Sequence, residues 1–576
     1  TEIYTLSLHD ALPISIADVV GSAVSCLIPL PTTIADLIAK VAKWVTRLTG
    51  KLQALVRSFS KLDGLFARAR GVMDDVAAAF RRIRSGAAHA DDVPTTRVPG
   101  HAGEAPAART PAGDVAANPS AASRASKDCV SGLDPVDLAS GLVFIEKTDV
   151  GLPGEFPLVL RRRYVSGFRH GRWFGARWAS TLDEHVDTAE GRLVLVRWDG
   201  SLLLFGAPDA EGVAVPVAGV DRWQLRRDGE GFVVTDPVGG VRHHFAGMGR
   251  RKWLVGQSDR AGRWVAFDRD ATGAVSRVRH HGGYEVLVSA DDSRVVGLAV
   301  AGAEADGGPL RLATFDYRHG SLVGETHGTD GTLHYEVDEI GRVVAWTDSN
   351  HVRYCYRYDE TDRCTGQGTT NPGQQEVMRF ALAYPAGPEP DGHTTVVTDP
   401  DGGQERWVVD GGGLVLAHTD ATGATTRYEY DRWCRRTAVI DPLGHTSRFD
   451  WDDSSRLVRF TDPAGAATVV GYDDRGLPVR VVEPGGAATE YAWDGLGRRL
   501  ALRDPSGAVT RWQRDPTGDA TVVVVDLTGR RTRIDNDPAG LPLAIADPAG
   551  TTVLHRDALG RVTVSTDPVG GTTGLE

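Results

Sequence analysis

The sequence has 576 residues, several times the usual size of a domain, and its composition points to one large repeat architecture. Its 68 glycines and 30 prolines supply turn chemistry, and its 41% of hydrophobic residues fit a sheet with one packed face better than a thick core. The formal charge of -12 argues against a nucleic-acid binder, because a surface that follows phosphates needs a local excess of Lys and Arg.

The N-terminal region is predicted to begin with a foreign leader and to continue as helix. Residues 1–15, TEIYTLSLHDALPIS, look like translated sequencing-adapter read-through, so we expect a non-native leader. Residues 16–84 are predicted to be α-helical, because apolar side chains from Ile34 to Phe59 recur at intervals of three and four. The first 90 residues hold 11 Lys and Arg against 7 Asp and Glu. For these basic amphipathic helices, packing on each other or on a partner is favoured over a membrane surface.

The rest of the chain is predicted to be a linker followed by strands. Residues 85–131 are rich in Ala, Pro, Ser and Gly with few large apolar side chains, which predicts a flexible linker. From residue 132 the apolar period is two, between Gly, Pro and Asp turns, which is typical of hairpins. We divide this part into a β domain over 132–235, irregular repeats over 236–398 and regular repeats over 399–576. The fold class is therefore mainly β, a large spiralling antiparallel sheet of hairpins preceded by a short α-helical region.

Two turn signals alternate in the regular repeats. Asp-Pro-x-Gly or a near variant begins at 399, 420, 441, 462, 483, 504, 526, 547 and 567, mostly at intervals of 21. A second signal, of the type Tyr-Asp-x-x-Gly-Arg, follows about ten residues later, at 430, 451, 472 and 493 and in weaker form at 514, 536 and 556. Pro presets φ at the first central turn position, Asp bonds the backbone ahead of it, and Gly takes a positive φ. Each period is therefore one antiparallel hairpin.

The only site residues that the sequence assigns are repeat positions with structural roles. They are Asp441, Pro442, Gly444, Trp451, Asp462, Pro463, Gly465, Tyr472, Asp473, Gly476, Trp493, Asp494, Gly497 and Arg498. The rings before the second Asp, those of Tyr430, Trp451, Tyr472 and Trp493, are expected to stack as a ladder on one face. The Arg at the end of that signal, as in Arg342, Arg456, Arg498 and Arg561, is expected to lie across neighbouring strands.

The alternation of D-P-x-G-x-x-T with Y-D-x-x-G-R resembles the YD repeats of bacterial Rhs proteins, strongly over 399–570 and in decayed form from about 236. Upstream, LDPVDLASGLVFIEKTDVGLPGEFPLVLRRRYVSG at 133–167 is similar to the segment that opens the Rhs shell, and GRWFGARWASTLDEHV resembles the strand that follows it. The resemblance implies a hollow shell of spiralling hairpins that encloses a C-terminal toxin and is carried by a secretion machine into a competitor. It also implies synthesis in the bacterial cytoplasm, followed by secretion or display at the cell surface.

The sequence departs from that family at both ends. Where complete shells have a self-cleavage motif D-P-x-G-L, this chain ends in DPVGGTTGLE, so no cleavage role is carried onto Asp567 and Pro568. We expect the toxin to lie beyond this sequence and the true N-terminus to be missing. The N-terminal helices are where a secretion apparatus or chaperone is expected to bind. They lack the β-spike module of type VI cargo, so the type VI and type VII routes both stay open.

No pattern predicts catalysis, a cofactor or a metal. His243 and His244, like His280 and His281, are adjacent on a strand and point to opposite faces, so neither pair can chelate one ion alone. The repeated Asp residues are explained by turns and not by the paired carboxylates of a glycosidase. The five cysteines contain no C-x-x-C pair, and Cys355 and Cys364 could pair across a hairpin.

The sequence thus favours a non-catalytic shell fragment of a secreted Rhs-type polymorphic toxin used in competition between bacteria. The alternative is a cell-surface YD-repeat protein whose stacked rings bind carbohydrate. An enzymatic activity would need a domain beyond residue 576.

Overall fold

The computed structural model describes residues 110–133, 135–304, 307–328, 331–514 and 521–574. The predicted leader, the predicted helices over 16–84 and the first part of the predicted linker lie outside these residues, as do Asp134 and most of the turn signal at 514–519. The chain divides into two compact units, and the described residues other than Asp547–Ala549 belong to the first.

The described part begins with two short helices, α1 (Pro111–Ala117) and α2 (Pro119–Ala122). Thr110 caps α1, because its hydroxyl accepts a hydrogen bond from the backbone N–H of Gly113 at 3.1 Å. A 3-10 turn at Ser126–Asp128 follows.

These elements pack on the β domain. Val115 of α1 is fully buried in a cluster with Phe168 and Val194, and the N–H of Ser126 donates to the Asp199 carboxylate at 2.9 Å. The flexible linker predicted over 85–131 is therefore wrong from residue 110 onward. Small Ala and Pro side chains let this segment lie close against the sheet, so side-chain caps and a few buried groups suffice to order it.

Two small sheets come next. β1 (Ser131–Gly132) pairs with β2 (Val136–Asp137), and β3 (Phe144–Leu152), β4 (Leu158–Val165) and β5 (Trp178–Ser180) form a three-stranded antiparallel sheet.

The large sheet starts with eight strands that close into a ring. They are β6 (His185–Asp187), β7 (Leu193–Val196), β8 (Leu202–Phe205), β9 (Val213–Ala214), β10 (Gln224–Asp228), β11 (Gly231–Thr235), β12 (Arg242–Ala246) and β13 (Arg251–Ser258). The ring closes because β13 pairs with β6, with Trp253 opposite His185. Farther along the same edge, β13 pairs with the next strand, with Gly256 opposite Ala266. The sheet therefore leaves the ring at β13.

From there the chain is an antiparallel meander in sequence order. We call β10 to β25 the first winding; beyond the ring it contains β14 (Trp264–Arg269), β15 (Val275–His280), β16 (Glu285–Asp291), β17 (Arg294–Val300), β18 (Leu310–Arg318), β19 (Ser321–His327), β20 (Gly331–Val337), β21 (Val343–Thr347), β22 (Arg353–Tyr358), β23 (Cys364–Thr370), β24 (Met378–Ala383) and β25 (His393–Thr398).

The regular repeats form what we call the second winding. Its strands are β26 (Gln404–Val409), β27 (Val415–Thr419), β28 (Thr425–Tyr430), β29 (Arg436–Ile440), β30 (Thr446–Trp451), β31 (Leu457–Thr461), β32 (Ala467–Tyr472), β33 (Pro478–Val482), β34 (Ala488–Trp493), β35 (Arg499–Arg503), β36 (Val509–Arg514), β37 (Thr521–Val525), β38 (Arg531–Asn536), β39 (Pro542–Asp547), β40 (Gly550–Arg556), β41 (Val562–Thr566) and β42 (Thr572–Gly574).

The predicted fold class, a mainly β antiparallel spiral of hairpins, is confirmed for the described residues. The main hydrophobic core runs from Val136 to Val415 and so lies between the small sheets, the first winding and the first two strands of the second winding. In the second winding the strands alternate, as at β28, where Arg427 and Glu429 are exposed and Tyr428 is half-buried. Among the described residues, no helix has the length and apolarity needed to span a membrane.

Candidate functional site

Alternate turns of a meander lie at opposite edges of the sheet, so the two turn signals form two rims. The DP rim contains the turns that begin at 236, 259, 280, 399, 420, 441, 462, 483, 504, 526 and 567. The YD rim contains the turns that begin at 270, 338, 359, 410, 431, 452, 473, 494, 537 and 557.

Both rims are built from the same hairpin turn. Asp441 donates its backbone N–H to the carbonyl of His445, and Gly444 donates to the carbonyl of Asp441, both at 3.0 Å. Gly444 has a φ of +88°, where a side chain would be strained. At the YD rim, Asp473 and Gly476 make the equivalent bonds at 2.9 Å. The other assigned turn positions hold the same places: Pro442, Asp462, Pro463, Gly465, Asp494 and Gly497.

The turn carboxylates are engaged by their own turns. Asp494 accepts hydrogen bonds from the backbone N–H groups of Leu496 and Arg498 at 2.9 and 2.8 Å, and from the Arg498 guanidinium at 2.7 Å. Burial alone would raise the pKa of Asp494, but the bonds from Arg498 outweigh it and hold the pKa below its ordinary value. A catalytic general acid needs the opposite shift, so these carboxylates are suited to holding turns.

The ring before each YD turn binds the start of the preceding strand. Tyr430 donates to the carbonyl of Val415 at 3.0 Å, Trp451 to that of Arg436 at 2.7 Å, Tyr472 to that of Leu457 at 2.9 Å and Trp493 to that of Pro478 at 2.7 Å, always 15 residues back. The predicted ladder of stacked rings is wrong, since no two of these four rings are in contact. Equivalent rings lie two strands, or about 9.5 Å, apart, whereas paired rings need centroids within about 7 Å.

The Arg that ends the YD signal joins neighbouring turns. Arg435 donates through Nε to Asp431 of its own turn at 2.7 Å, and through a terminal nitrogen to the carbonyl of Asp452 in the next YD turn. Arg342 makes both kinds of bond in the first winding, and Arg456, Arg498 and Arg561 bond to the Asp of their own turns. Together with the ring bonds, these contacts link successive hairpins in both directions along the rim.

The YD rim of the second winding lies on the DP rim of the first, and we call this contact the seam. Arg260 donates to the carbonyl of Arg475 at 2.8 Å. A Cβ at Gly476 would lie 3.1 Å from the carbonyl oxygen of Pro237, and one at Gly282 would lie 2.6 Å from the Cα of Ala539. Both sets of partners advance along the chain together. The second winding therefore runs beside the first in the same direction, which is what makes the sheet a spiral.

Glycines distinguish the two rims of the second winding. At the YD rim, an added Cβ would meet Arg124 from Gly413, Arg260 from Gly497, Glu155 from Gly540 and Tyr284 from Gly560. At the DP rim, Gly402, Gly423, Gly444, Gly465, Gly507, Gly529 and Gly570 have nothing within 4 Å of that position. The two rims share a turn geometry, but only the YD rim is docked in the described part of the chain.

The Gly- and Trp-containing segment of the opening domain covers the YD rim of the first winding. Arg172 donates to the carbonyl of Thr272 at 3.1 Å, the Trp173 carbonyl accepts from Val295 at 3.0 Å, and Arg177 donates to the carbonyl of Ile340 at 3.2 Å. The first winding is thus held on both rims, by residues 166–177 on one side and by the second winding on the other.

A cavity of about 750 Å³ lies between residues 120–131 and strands β26 to β30. Its walls include Arg124, Trp407, Tyr430 and Arg436. Trp407 is stacked on His418 with centroids 4.5 Å apart. The cavity belongs to the same sheet face as the rim-binding rings, since Tyr430 and Trp451 both line it.

The histidine pairs serve separate structural contacts. His243 is buried beside Glu184 at 3.6 Å, whereas His244 shares a hydrogen bond with Ser258 at 2.9 Å. His280 and His281 do not point to opposite faces as predicted, since β15 ends at His280 and the two rings lie 4.1 Å apart. Across the described ranges, no group of three or more His, Cys, Asp or Glu side chains could hold a metal ion.

The turns follow from the sequence, whereas the seam does not. Arg260, Gly282 and Tyr284 belong to irregular repeats, where no period marks them. The one available signal is that the irregular turns at 236, 259 and 280 keep the alternation of the regular ones, which places them on the DP rim.

Two family models match the chain. Residues 133–205 match a model described as Domain of unknown function (DUF6531), and residues 410–446, 451–488, 472–509 and 537–572 match the model described as RHS Repeat.

Relatives include a protein of Dickeya dadantii (strain 3937) named Probable deoxyribonuclease RhsB, 28% identical over 308 residues that make up 52% of this chain and 20% of the relative. Another is the Double-stranded DNA deaminase toxin A of Burkholderia cenocepacia (strain H111), 26% identical over 265 residues, or 40% of this chain and 18% of the relative. The chain spans about a fifth of the length of these curated relatives.

Solved structures that match the chain include TcdB2-TccC3 without its hypervariable C-terminal region, at 13% identity and a TM-score of 0.33, covering 74% of this chain and 24% of that one. The complete TcdB2-TccC3 gives 11% identity and a TM-score of 0.34, covering 81% of this chain and 26% of that one.

Proposed function

This chain is a bacterial Rhs/YD-repeat protein, and on that premise we propose that its sheet is the non-catalytic wall of a secreted polymorphic toxin. In the full polypeptide the wall encloses a toxin domain that follows it. The toxin, and not the wall, carries the chemistry.

The observation that carries this proposal is the seam. A sheet that docks one winding on the next through matching rims can enclose space without a dense core. The bonds of Tyr472 to Leu457 and of Arg435 to Asp452 fix the pitch from hairpin to hairpin. The open DP rim of the second winding has the same turn geometry as the rim that already receives a winding, so it suits a further one.

The same contacts support a structural role for the repeated acids. Each turn carboxylate accepts bonds from the backbone of its own turn, as Asp494 does, and the neighbouring Arg neutralises it. A wall built this way presents turns and strands, with its ionised groups already engaged.

The proposal also covers the cargo, its delivery to other cells and the proteins that bind this chain during export. The relatives named as a deoxyribonuclease and as a DNA deaminase toxin support a cargo that is toxic to other cells. We assign contact with a secretion apparatus or chaperone to residues 16–84, and competition between bacteria to the exported protein.

Limited proteolysis of the full-length gene product tests the enclosure. The C-terminal domain should resist protease and co-elute with the wall until the seam is opened by Gly560→Arg, where a side chain would meet Tyr284 and Pro153. The matched control is Gly570→Arg, with a similar φ and nothing within 4 Å. Cleavage of the C-terminal domain at equal rates in wild type, both variants and the isolated domain would contradict enclosure.

Carbohydrate recognition by the repeat aromatics stays a prediction. Because the indole N–H of Trp493 is engaged by Pro478, we expect Trp493→Ala to lower stability with no accompanying loss of glycan binding. Strong quenching of tryptophan fluorescence by a sugar, abolished in this variant while the fold is retained, would favour the cell-surface alternative.

A further inference from the structure

Four ionisable side chains meet in the interior between the opening domain and the first winding. Asp149 and Arg162 come from the β3–β4 hairpin, and Glu325 and His327 come from β19. The side chains of Arg162 and Glu325 have no solvent exposure, that of Asp149 is 2% exposed and that of His327 is 11% exposed.

The guanidinium of Arg162 joins the two carboxylates. Its Nε lies 3.0 Å from each oxygen of Asp149, and a terminal nitrogen donates to Glu325. Nε2 of His327 lies 3.5 Å from Asp149 and 3.9 Å from Glu325. The imidazole therefore lies close to both acids, and at Glu325 it faces the oxygen that Arg162 does not bind.

Aromatic rings surround the guanidinium of this group. The centre of the Arg162 guanidinium lies 4.6 Å from the ring of Trp178, 5.0 Å from that of Phe315 and 5.5 Å from that of Phe174. A buried ion group is stable only when its charges balance and its polar atoms are paired.

The charges do not balance when each group has its ordinary ionisation at neutral pH. One guanidinium stands against two carboxylates and a neutral imidazole, which leaves one uncompensated negative charge; a single added proton removes it. We propose that Asp149, Arg162, Glu325 and His327 form a proton-binding site that clamps the β3–β4 hairpin to the first winding when it is occupied.

The remaining groups around the site leave this balance unchanged. Tyr317 and Tyr335 face it from β18 and β20, and burial raises the pKa of both phenols, so they stay neutral. Lys147 on β3 is partly exposed, and solvent screens its charge. Burial raises the pKa of Asp149 to about 6; the attraction of Arg162 opposes this shift and the charge of Glu325 adds to it.

The raised pKa of Asp149 determines how the stability contributed by this site depends on pH. The folded protein holds the proton more tightly than the unfolded chain, so the stabilisation is complete below the ordinary pKa of 3.8 and is lost as pH rises through about 6. The tip of the same hairpin reaches the seam, where the backbone N–H of Glu155 donates to the carbonyl of Ala539 at 2.9 Å. An acidic medium therefore tightens a hairpin that contacts both windings, whether or not the wall encloses a toxin.

Hydrogen exchange of the full chain at about pH 5 and about pH 8, corrected for intrinsic rates, tests the proposal. Protection of residues 144–165 should be greater at the lower pH by up to about tenfold, because pH 5 lies one unit below the pKa of about 6. Asp149→Asn imitates the protonated acid and should remove most of this difference, and Glu325→Gln should also reduce it. Asp268→Asn, which breaks an exposed pair with Arg279, is the control and should keep the wild-type difference.

Equal protection of this hairpin at both pH values in wild type would overturn the proposal without any variant. A pH difference that persists unchanged in Asp149→Asn and Glu325→Gln would overturn it as well, since the proton would then bind elsewhere.

Discussion

The phenol of Tyr472, at the end of β32, donates a hydrogen bond to the carbonyl oxygen of Leu457, at the start of β31, at 2.9 Å. The equivalent residues of three other repeats make the same bond with the same 15-residue separation. The repeated aromatic residue is therefore a tie between hairpins, and its polar atom matters as much as its ring.

Removing that polar atom should cost the energy of one hydrogen bond. Tyr472→Phe is expected to lower the free energy of unfolding by about 0.5–1.5 kcal/mol, measured by urea denaturation. Tyr428→Phe is the matched control, because Tyr428 lies on the same sheet face and stacks with Arg436 without a phenol hydrogen bond to any described residue. Equal losses in the two variants would show that the bond to Leu457 contributes nothing.

Glycines at the two rims should respond differently to the same substitution. Gly560 and Gly465 have φ values of +79° and +86°, so alanine costs each about 1–2 kcal/mol in backbone strain. Gly560→Ala should cost more than Gly465→Ala, because its methyl group would lie 2.8 Å from Pro153 and 2.3 Å from the Tyr284 hydroxyl. Matching urea midpoints for the two variants would place Gly560 outside any seam.

The YD turns should make the wall sensitive to acid. In Asp473, Asp494 and Asp557 burial works to raise the pKa, and hydrogen bonds within each turn outweigh it and leave the pKa lowered. A lowered pKa means that these carboxylates contribute stability above the ordinary pKa of 3.8, and that this stability is lost as pH falls below it. Thermal unfolding between about pH 7 and pH 3 should show this loss. Asp494→Asn should reduce this loss of stability, whereas substitution of an exposed acid, Asp453→Asn, should leave it unchanged. A loss that is reduced by Asp453→Asn and not by Asp494→Asn would contradict the role given to the YD turns.

Cys355 and Cys364 should remain reduced and unreactive. Cys355 lies opposite Gly368 and Cys364 opposite Tyr358, so the pairing considered across this hairpin does not occur and both thiols are free. Burial raises the pKa of Cys364 to about 12, which leaves no thiolate at neutral pH. A thiol reagent should modify neither residue in the native protein and both after denaturation. Recovery of a disulfide-linked peptide pair would refute this.

The local structure of the repeats could be predicted from sequence because each turn is set by its own four or five residues. Asp441, Pro442 and Gly444 occupy the places that turn geometry requires, and the period of 21 follows from two strands and two turns. The positions of the rings could not be predicted in this way, because a half-buried phenol or indole needs a hydrogen-bond acceptor, and the repeat pattern does not show where that acceptor lies.

Contacts between windings could not be predicted, because they join residues more than 200 positions apart with no shared motif. Arg260 and Arg475 meet only because the sheet twists by a certain angle per strand. This angle adds up over many hairpins and cannot be inferred from the sequence of any single hairpin. The packing of residues 110–131 could not be predicted either, because it depends on contacts with distant parts of the chain. The Ala and Pro residues of this segment are ordered by the surface on which they lie.

A disulfide placed across the seam tests the spiral most directly. The Cβ of Arg260 lies 3.9 Å from the Cβ position at Gly497, within the usual range for a disulfide. In a background without native cysteines, Arg260→Cys with Gly497→Cys should form an intramolecular crosslink under mild oxidation, found by peptide mass spectrometry. Arg260→Cys with Gly507→Cys, on the open rim, should stay reduced. Efficient crosslinking of the second pair, or none in the first pair of a folded protein, would contradict the docking of the second winding on the first.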